Sequence, residues 1–353
     1  MNILGKGQTM NKKRNIIMLS ITAVALIFSM CVGASSVSLV RRNENIDGAD
    51  GDEDFDVMSE QTANNYFRLL VAGKDRASGL YDVMMLVSLN RDDNSIFVLQ
   101  IPRDTYLEYT EKSYKKINGA PASLGGMKNF VSFLSENIGV EIDSYVSFGL
   151  DAFSGAIDAI GGVEIELEEE LNYSDPAQDL NIHLPKGKQI LDGRTAEHFV
   201  RYRAGYLRGD LDRLDAQKLF MSALFKKVMS LSLYETTGLI TELLPSVNTD
   251  LGLFEIISVI KDARSVSPEK LSFVTAPGED IVSERSGAWY YVVSAQSLKQ
   301  ILGEYFGSEK EFDPQGLFLN ENDGGFTRIY KSSAQIQISN ADNIGKNQSK
   351  SDK

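Results

Sequence analysis

Cysteine occurs once in these 353 residues, at Cys31, and histidine twice, at His183 and His198. A single cysteine forms no internal disulfide and supplies no thiolate metal cluster, and two histidines are too few for a histidine-rich zinc site. A Ser–His–Asp hydrolase has as little to draw on. Neither a GxSxG nor a GxxxxGK[ST] stretch is present, so an α/β-hydrolase and a P-loop nucleotidase are not indicated. Positive charge is also in the minority, with 36 Lys and Arg against 49 Asp and Glu for a net charge of −13. That balance argues against a general nucleic-acid binder, which needs a basic face. Any metal is expected to be a hard cation on carboxylates: magnesium, manganese or calcium.

What the chain does have is one long apolar run near its start. Ile16 to Val40 is free of charge, about 25 residues, enough to cross a roughly 30 Å hydrocarbon layer as a helix. Lys12, Lys13 and Arg14 precede it and belong on the cytoplasmic side, although Arg41 and Arg42 follow it. The acidic NENIDGADGDEDFD beyond them is unsuited to an anionic inner leaflet. The expectation is a cytoplasmic segment 1–15, a single-pass anchor 16–40 in the cell membrane, an acidic linker 41–64 and an extracellular remainder. A cleaved signal peptide is the alternative, with small residues at VGASS, but the run is long for its apolar region. Cys31 follows Met30, a poor lipoprotein cleavage context.

From Tyr66 the pattern becomes periodic. YFRLLVAG, DVMMLVSLN and NSIFVLQI read as strands, as do DSYVSFG, VEIEL and KLSFVTAPG. ASLGGMKNFVSFLSENIG, LDAFSGAIDAIGG, RTAEHFV, LDRLDAQKLFMSALFKKVMS and SAQSLKQILGEYF read as helices, and two more are expected over about 235–262. Strands alternating with helices predict one α/β domain over 65–312, a mixed sheet covered by helices on both faces in an α–β–α sandwich. Residues 313–353 are polar and predict a disordered tail.

Three stretches concentrate charge beside apolar structure. In GKDRASGLYD, Asp75 and Asp82 flank a short loop and could share one hard cation, although Asp is also an ordinary turn residue. In IPRD, Arg103 and Asp104 follow a strand at the end where open α/β sheets bind ligands. On extended backbone their side chains would face opposite ways. In HFVRYRAGYLRGDLDRLDAQKLF, Arg201 and Arg203 would share one face of an extended segment, while Asp210, Arg213 and Gln217 share one face of a helix. Leu211, Leu214, Met221, Phe225 and Val228 form the apolar stripe that seats that helix. Guanidinium forks match phosphate oxygens, and a polyphosphate needs several. A solvated helix start with an Asp210–Arg213 pair accounts for the last stretch equally well. Taken together, carboxylates for a divalent cation and four or more Arg are one way to grip a pyrophosphate, and outside the cell that points to lipid-linked precursors. VMMLVSLN, FVSFLSENIG and FMSALFKKVM could line a lipid pocket, with Met85, Met221 and Met229 as adaptable walls, but such stripes also make ordinary core.

In order along the chain, VAGKD, VLQIPRDTY, KINGA, IDSYVSFGLDAFSGAIDAIGGVEIEL, LPKGKQILDGRTAEHFVRYR and DLDRLDAQ resemble the LytR–CpsA–Psr cell-wall ligases over about 70–230. The resemblance implies a phosphotransferase that moves a wall teichoic acid or capsular polysaccharide from undecaprenyl pyrophosphate to peptidoglycan, with the acceptor a hydroxyl of N-acetylmuramic acid. It implies Mg2+ as cofactor, held by Asp75 and Asp82. Arg103, Arg201, Arg203 and Arg213, with Lys116 of KIN, are implied to clamp the pyrophosphate. Asp104, Asp210 and Gln217 are implied to orient those groups, one Asp serving as base. The chain departs from the family in two places. Where RxxRQ is frequent, Arg213 is followed by Leu214, Asp215, Ala216 and Gln217, so the clamp is one charge poorer unless Arg208 replaces it. The loop between Asp75 and Asp82 is also short, which weakens Asp75 as a ligand. Two other functions are compatible with the same residues: a lipid-pyrophosphate hydrolase, and a non-catalytic polyprenyl-lipid-binding protein of wall attachment or regulation.

Overall fold

The computed structural model describes residues 65–109 except 77, 115–175, 180–202, 210–308 except 285, 326–330 and 336–341. The segments expected as anchor (16–40) and acidic linker (41–64) lie outside them. Among the described residues no helix is long and apolar enough to cross a membrane.

Three consecutive apolar runs form an antiparallel meander: β1 (Tyr66–Lys74), β2 (Tyr81–Asn90) and β3 (Ser95–Gln100). A short helix α1 (Ala120–Ser123) and then α2 (Met127–Ile138) lead to β4 (Ser144–Gly149), which runs parallel to β1. Next come α3 (Leu150–Ala159), β5 (Val163–Leu167), β6 (Leu171–Asp175), β7 (Leu180–Leu184) and β8 (Gly187–Leu191). Then follow α4 (Gly193–Arg201), α5 (Asp210–Ser230), α6 (Leu233–Leu243), β9 (Asn248–Thr249) and α7 (Leu253–Ala263). The last described elements are β10 (Leu271–Thr275), β11 (Gly278–Ser283), β12 (Trp289–Val293), α8 (Ala295–Phe306), β13 (Phe326–Tyr330) and β14 (Ser339–Asn340).

The main sheet has the order β14-β10-β3-β2-β1-β4-β9. Since β10 is parallel to β3 and β4 to β1, and β2 is antiparallel to both β1 and β3, the carboxyl ends of β1, β3, β4 and β10 share one edge. Side chains alternate across it. Leu69, Val71, Met85, Val87 and Val98 join a core with α3, α4, α5, α6 and α7. Leu70, Ala72, Met84, Leu86 and Leu99 join a second core with α2 and α8. Burial on both faces is why these strands read as near-continuous apolar runs. The expected mixed α–β–α sandwich is the observed domain.

Two expectations are corrected. FVSFLSENIG, offered as lining for the lipid pocket, is α2 and packs on the second core, on the face opposite the charged cavity, where Leu134 and Ile138 line a separate apolar hollow. The stretch expected to be a structureless tail supplies β13, which pairs with β11, and β14, which pairs with β10. Ala341 is buried behind it. An unpaired sheet edge offers backbone donors and acceptors to any residue type, so polar composition did not exclude pairing.

Candidate active site

The site begins at an irregularity in β2. Gly73 pairs with Val83 but Lys74 pairs with Tyr81, so Asp82 is the extra residue of a β-bulge. Tyr81 therefore packs into the second core while Val83 packs against the first, and Asp82 is turned to a cavity on the first-core side. That cavity encloses about 790 Å³, part of it open to solvent, between β1, β2, β4, α3, α4 and α5. Lys74, Asp75, Asp82, Arg201, Arg213 and Gln217 line it, together with Val71, Met85, Phe153, Phe220, Met221 and Leu224. Along α5 the lining changes character, from Arg213 and Gln217 in the early turns to Phe220, Met221 and Leu224 later. Helical rise puts the ends of that gradient roughly 16 Å apart. The charged end lies at the carboxyl edge of the sheet, where α/β folds place ligands.

Arg103 follows β3 and is half-buried. Its Nη1 donates to Asp82 Oδ1 at 2.7 Å, and its Nε lies 3.7 Å from Asp104 Oδ2. Lys116 Nζ donates to Asp104 Oδ1 at 2.7 Å and sits 5.9 Å from the centre of the Tyr290 ring. The expectation that Arg103 and Asp104 diverge is overturned: Thr105 N–H closes a turn onto Pro102 O at 3.0 Å, so the backbone is not extended. Ion pairs thus run in a line from Lys116 through Asp104 and Arg103 to Asp82, where the line meets the cavity wall. Asp75 acts as a turn residue. Its Oδ2 accepts from Ser78 N–H at 2.8 Å and Ser78 Oγ–H at 2.9 Å, and it lines the cavity.

Helix α4 delivers Arg201. Asp192 caps it by accepting from Thr195 N–H at 2.8 Å. Gly193 follows because a Cβ there would meet Ser154 O at 1.9 Å, so only glycine lets α4 approach α3 this closely. Arg201 is the last helical residue, not part of an extended segment. Its Nη1 donates to Glu197 Oε1 at 2.8 Å, and Glu197 Oε2 accepts from Ser154 Oγ–H at 3.0 Å. Arg213 is buried, 3% exposed, on the cavity wall. Gln217, expected to orient a guanidinium, donates from Nε2 to Val200 O at 3.2 Å and so ties α5 to α4. Its Oε1 is buried with no hydrogen-bond partner among the described residues. Arg203 and Arg208 lie outside the described residues, as does the side chain of Asp210, whose backbone opens α5. The structure thus brings Asp75, Asp82, Arg201, Arg213 and Gln217 to one cavity and joins Arg103, Asp104 and Lys116 to its rim. Met85 and Met221 line it, whereas Met229 packs against the first core outside the lining.

Glu197, Ser154, Arg76 and Asp151 were missed from the sequence. Only the i, i+4 spacing of Glu197 and Arg201 could have signalled one of them. Neither histidine is among the lining residues. Among the described residues no cluster of three or more His, Cys, Asp or Glu could hold a metal. Asp75 and Asp82 on one wall nevertheless fit magnesium, which takes one or two carboxylates and fills its shell with phosphate oxygens and water. The donor set suits a cation shared with a substrate.

Fold and site together define an α/β protein whose cavity joins an apolar wall to a mouth of guanidinium and carboxylate groups. The model of the LytR_cpsA_psr family matches residues 34–306, and the chain belongs to that family. It is 29% identical over 262 residues to the polyisoprenyl-teichoic acid–peptidoglycan teichoic acid transferase TagU of Oceanobacillus iheyensis, covering 72% of this chain and 79% of that protein. It is 31% identical over 231 residues to TagU of Bacillus mycoides, covering 65% and 72%. A solved structure of TagT bound to LIIa-WTA matches with a TM-score of 0.56 at 26% identity, over 69% of this chain and 91% of that one. Bacillus subtilis TagV shares the fold, with a TM-score of 0.60 at 23% identity over 70% and 99%.

Proposed function

We propose that this chain is a membrane-anchored phosphotransferase. It moves an anionic glycopolymer, a wall teichoic acid or capsular polysaccharide, from undecaprenyl pyrophosphate to peptidoglycan and releases undecaprenyl phosphate. The observation that carries this reading is the single cavity with Asp82, Arg201 and Arg213 at one end of its lining and Phe220, Met221 and Leu224 at the other. A pyrophosphate esterified to a polyprenyl chain has the same polarity. The names of the teichoic acid transferases among its relatives support the reaction class. In this reading residues 16–40 anchor the chain and 41–64 tether an extracellular catalytic domain.

The polyprenyl chain lies along the apolar wall, which excludes water and fixes the diphosphate at the mouth. Arg201, Arg213 and Arg103 face the phosphoryl oxygens, with Arg203 and Lys116 as further contacts. The acceptor hydroxyl attacks the phosphorus nearer the sugar, its proton passing to a mouth carboxylate, and the bond to the bridging oxygen breaks. Oriented guanidinium groups neutralise charge spreading over the equatorial oxygens, so catalysis is chiefly positioning and electrostatics. Mg2+, when held by Asp75 and Asp82, supplies Lewis-acid stabilisation of those oxygens.

The test is incubation of the purified chain with a polyprenyl-pyrophosphate-linked oligosaccharide, with and without peptidoglycan oligomers. Polymer attached to peptidoglycan, with polyprenyl phosphate released only when acceptor is present, is the expected result. Equal release without acceptor makes the protein a hydrolase. No turnover at all leaves it a lipid-binding protein.

A further inference from the structure

Glu197 stands between two guanidinium groups. One carboxylate oxygen accepts from Arg201 Nη1 at 2.8 Å, and the other lies 3.7 Å from Arg76 Nη2. Its side chain is 10% exposed and further fixed by Ser154 Oγ–H at 3.0 Å. Arg76 itself comes from the β1–β2 turn, one residue after Asp75, and its side chain is 55% exposed. Its close partner is Asp151 Oδ1 at 2.5 Å, in the first turn of α3, a carboxylate that is 81% exposed. The two pairs differ in kind. The Glu197–Arg201 bond is shielded from water, whereas an exposed Arg–Asp pair contributes little net stability and is readily exchanged. A diphosphate offers Arg76 a stronger partner, since bidentate guanidinium–phosphate bonds exceed exposed carboxylate pairs in both charge and geometry.

We infer that Arg76 is a further ligand for the donor's pyrophosphate. Glu197 keeps it beside Arg201, and Asp151 holds it in reserve until the donor arrives. The inference rests on the pyrophosphate-donor reading above and adds to it a residue from a turn that reads as a mere connection.

The experiment measures binding of farnesyl pyrophosphate and farnesyl monophosphate to the full chain in detergent micelles, with magnesium present. Wild type prefers the pyrophosphate. Arg76→Ala loses about tenfold in pyrophosphate affinity and little for the monophosphate, the loss expected for one charge-assisted bond, and Arg76→Lys recovers part of it. Asp151→Asn, which removes the competing carboxylate, tightens pyrophosphate binding about twofold. If wild type does not distinguish the two lipids, the pyrophosphate-donor reading itself fails. If wild type distinguishes them and Arg76→Ala does so equally well, only the present inference is overturned. A loss of affinity in Asp151→Asn matching that of Arg76→Ala also overturns it, because Arg76 then serves only as a structural strap.

Discussion

The two faces of the main sheet are built from the same strands, and each covers a hollow. On the α2 and α8 side a cavity of about 450 Å³ is lined by Leu86, Leu99, Leu134, Ile138, Leu302 and similar residues, with Thr105 the one polar side chain besides the Tyr106 hydroxyl. On the α3, α4 and α5 side the larger cavity has a charged end. Apolar space alone therefore does not mark a site, because side chains meeting over a twisted sheet leave it on either face. What separates the faces is local and lies at strand and helix ends: a bulge that turns Asp82, a helix that finishes on Arg201, and another whose early turns carry Arg213 and Gln217. Charged groups are concentrated at the carboxyl edge of a framework otherwise similar on its two sides.

The comparison breaks first, and most heavily, at the charged end. Arg201→Ala is expected to lower glycopolymer transfer by about 10³-fold or more, the scale of an oriented guanidinium at a phosphoryl transition state, while circular dichroism shows an unchanged secondary structure. Arg201→Lys recovers little, because a point charge does not replace a planar fork. Transfer within a few-fold of wild type in both variants removes Arg201 from the reaction.

Smaller effects separate the two hollows. Leu302 is fully buried on the apolar face, and Leu302→Ala is expected to cost about 2–5 kcal/mol in urea unfolding while the transfer rate per folded molecule stays unchanged. Met221→Trp on the other face is expected to impair transfer more than stability. Overpacking costs about 1–3 kcal/mol, but use of long-chain donors collapses while short-chain analogues still react. If Leu302→Ala impairs turnover and Met221→Trp does not, the assignment of the two faces is inverted.

Strands β1, β2 and β3 were legible in the sequence because burial on both sides writes a continuous apolar run, and α5 because one stripe seats it. Asp82 was legible as a candidate but not as a bulge residue, since a bulge is a property of pairing with β1 and leaves no mark in β2 alone. The Arg103–Asp82 bond was hidden for the same reason: it spans neighbouring strands. Arg76 and Glu197 are 121 positions apart in the chain and meet only once the β1–β2 turn lies over α4. The two-residue polar strand β14 was missed because backbone pairing, which no side-chain pattern encodes, places it, whereas β13 reads FTRIY, a β-favouring run masked by the polar composition around it. The apolar wall of the cavity was ambiguous because Met221 and Leu224 continue a stripe that Phe225 and Val228 extend into true core.

The smallest effect concerns how α4 is started, and so how firmly Arg201 is aimed. Asp192 Oδ1 accepts from Thr195 Oγ1–H at 2.6 Å and from Thr195 N–H at 2.8 Å. These bonds, the hydroxyl first, hold its carboxyl below the usual range. A carboxyl depressed in the folded state contributes stability that is fully present above its unfolded value, about 3.9, and is lost as pH falls through the lower folded value. Asp192→Ala should therefore cost about 1 kcal/mol at neutral pH, as for other helix caps. The gap from wild type should narrow in acid, closing only below the folded value. Urea unfolding of both proteins at neutral pH and below pH 4 checks this, and a gap that stays constant into strong acid shows the cap to be steric. Because α4 carries Arg201 on its final residue, fraying from the capped end should raise donor KM modestly, alongside the roughly 2–4 °C fall in melting temperature that a loss of about 1 kcal/mol brings in a domain of this size. The opposite face, whose cavity no charged side chain lines, has no counterpart to that loss.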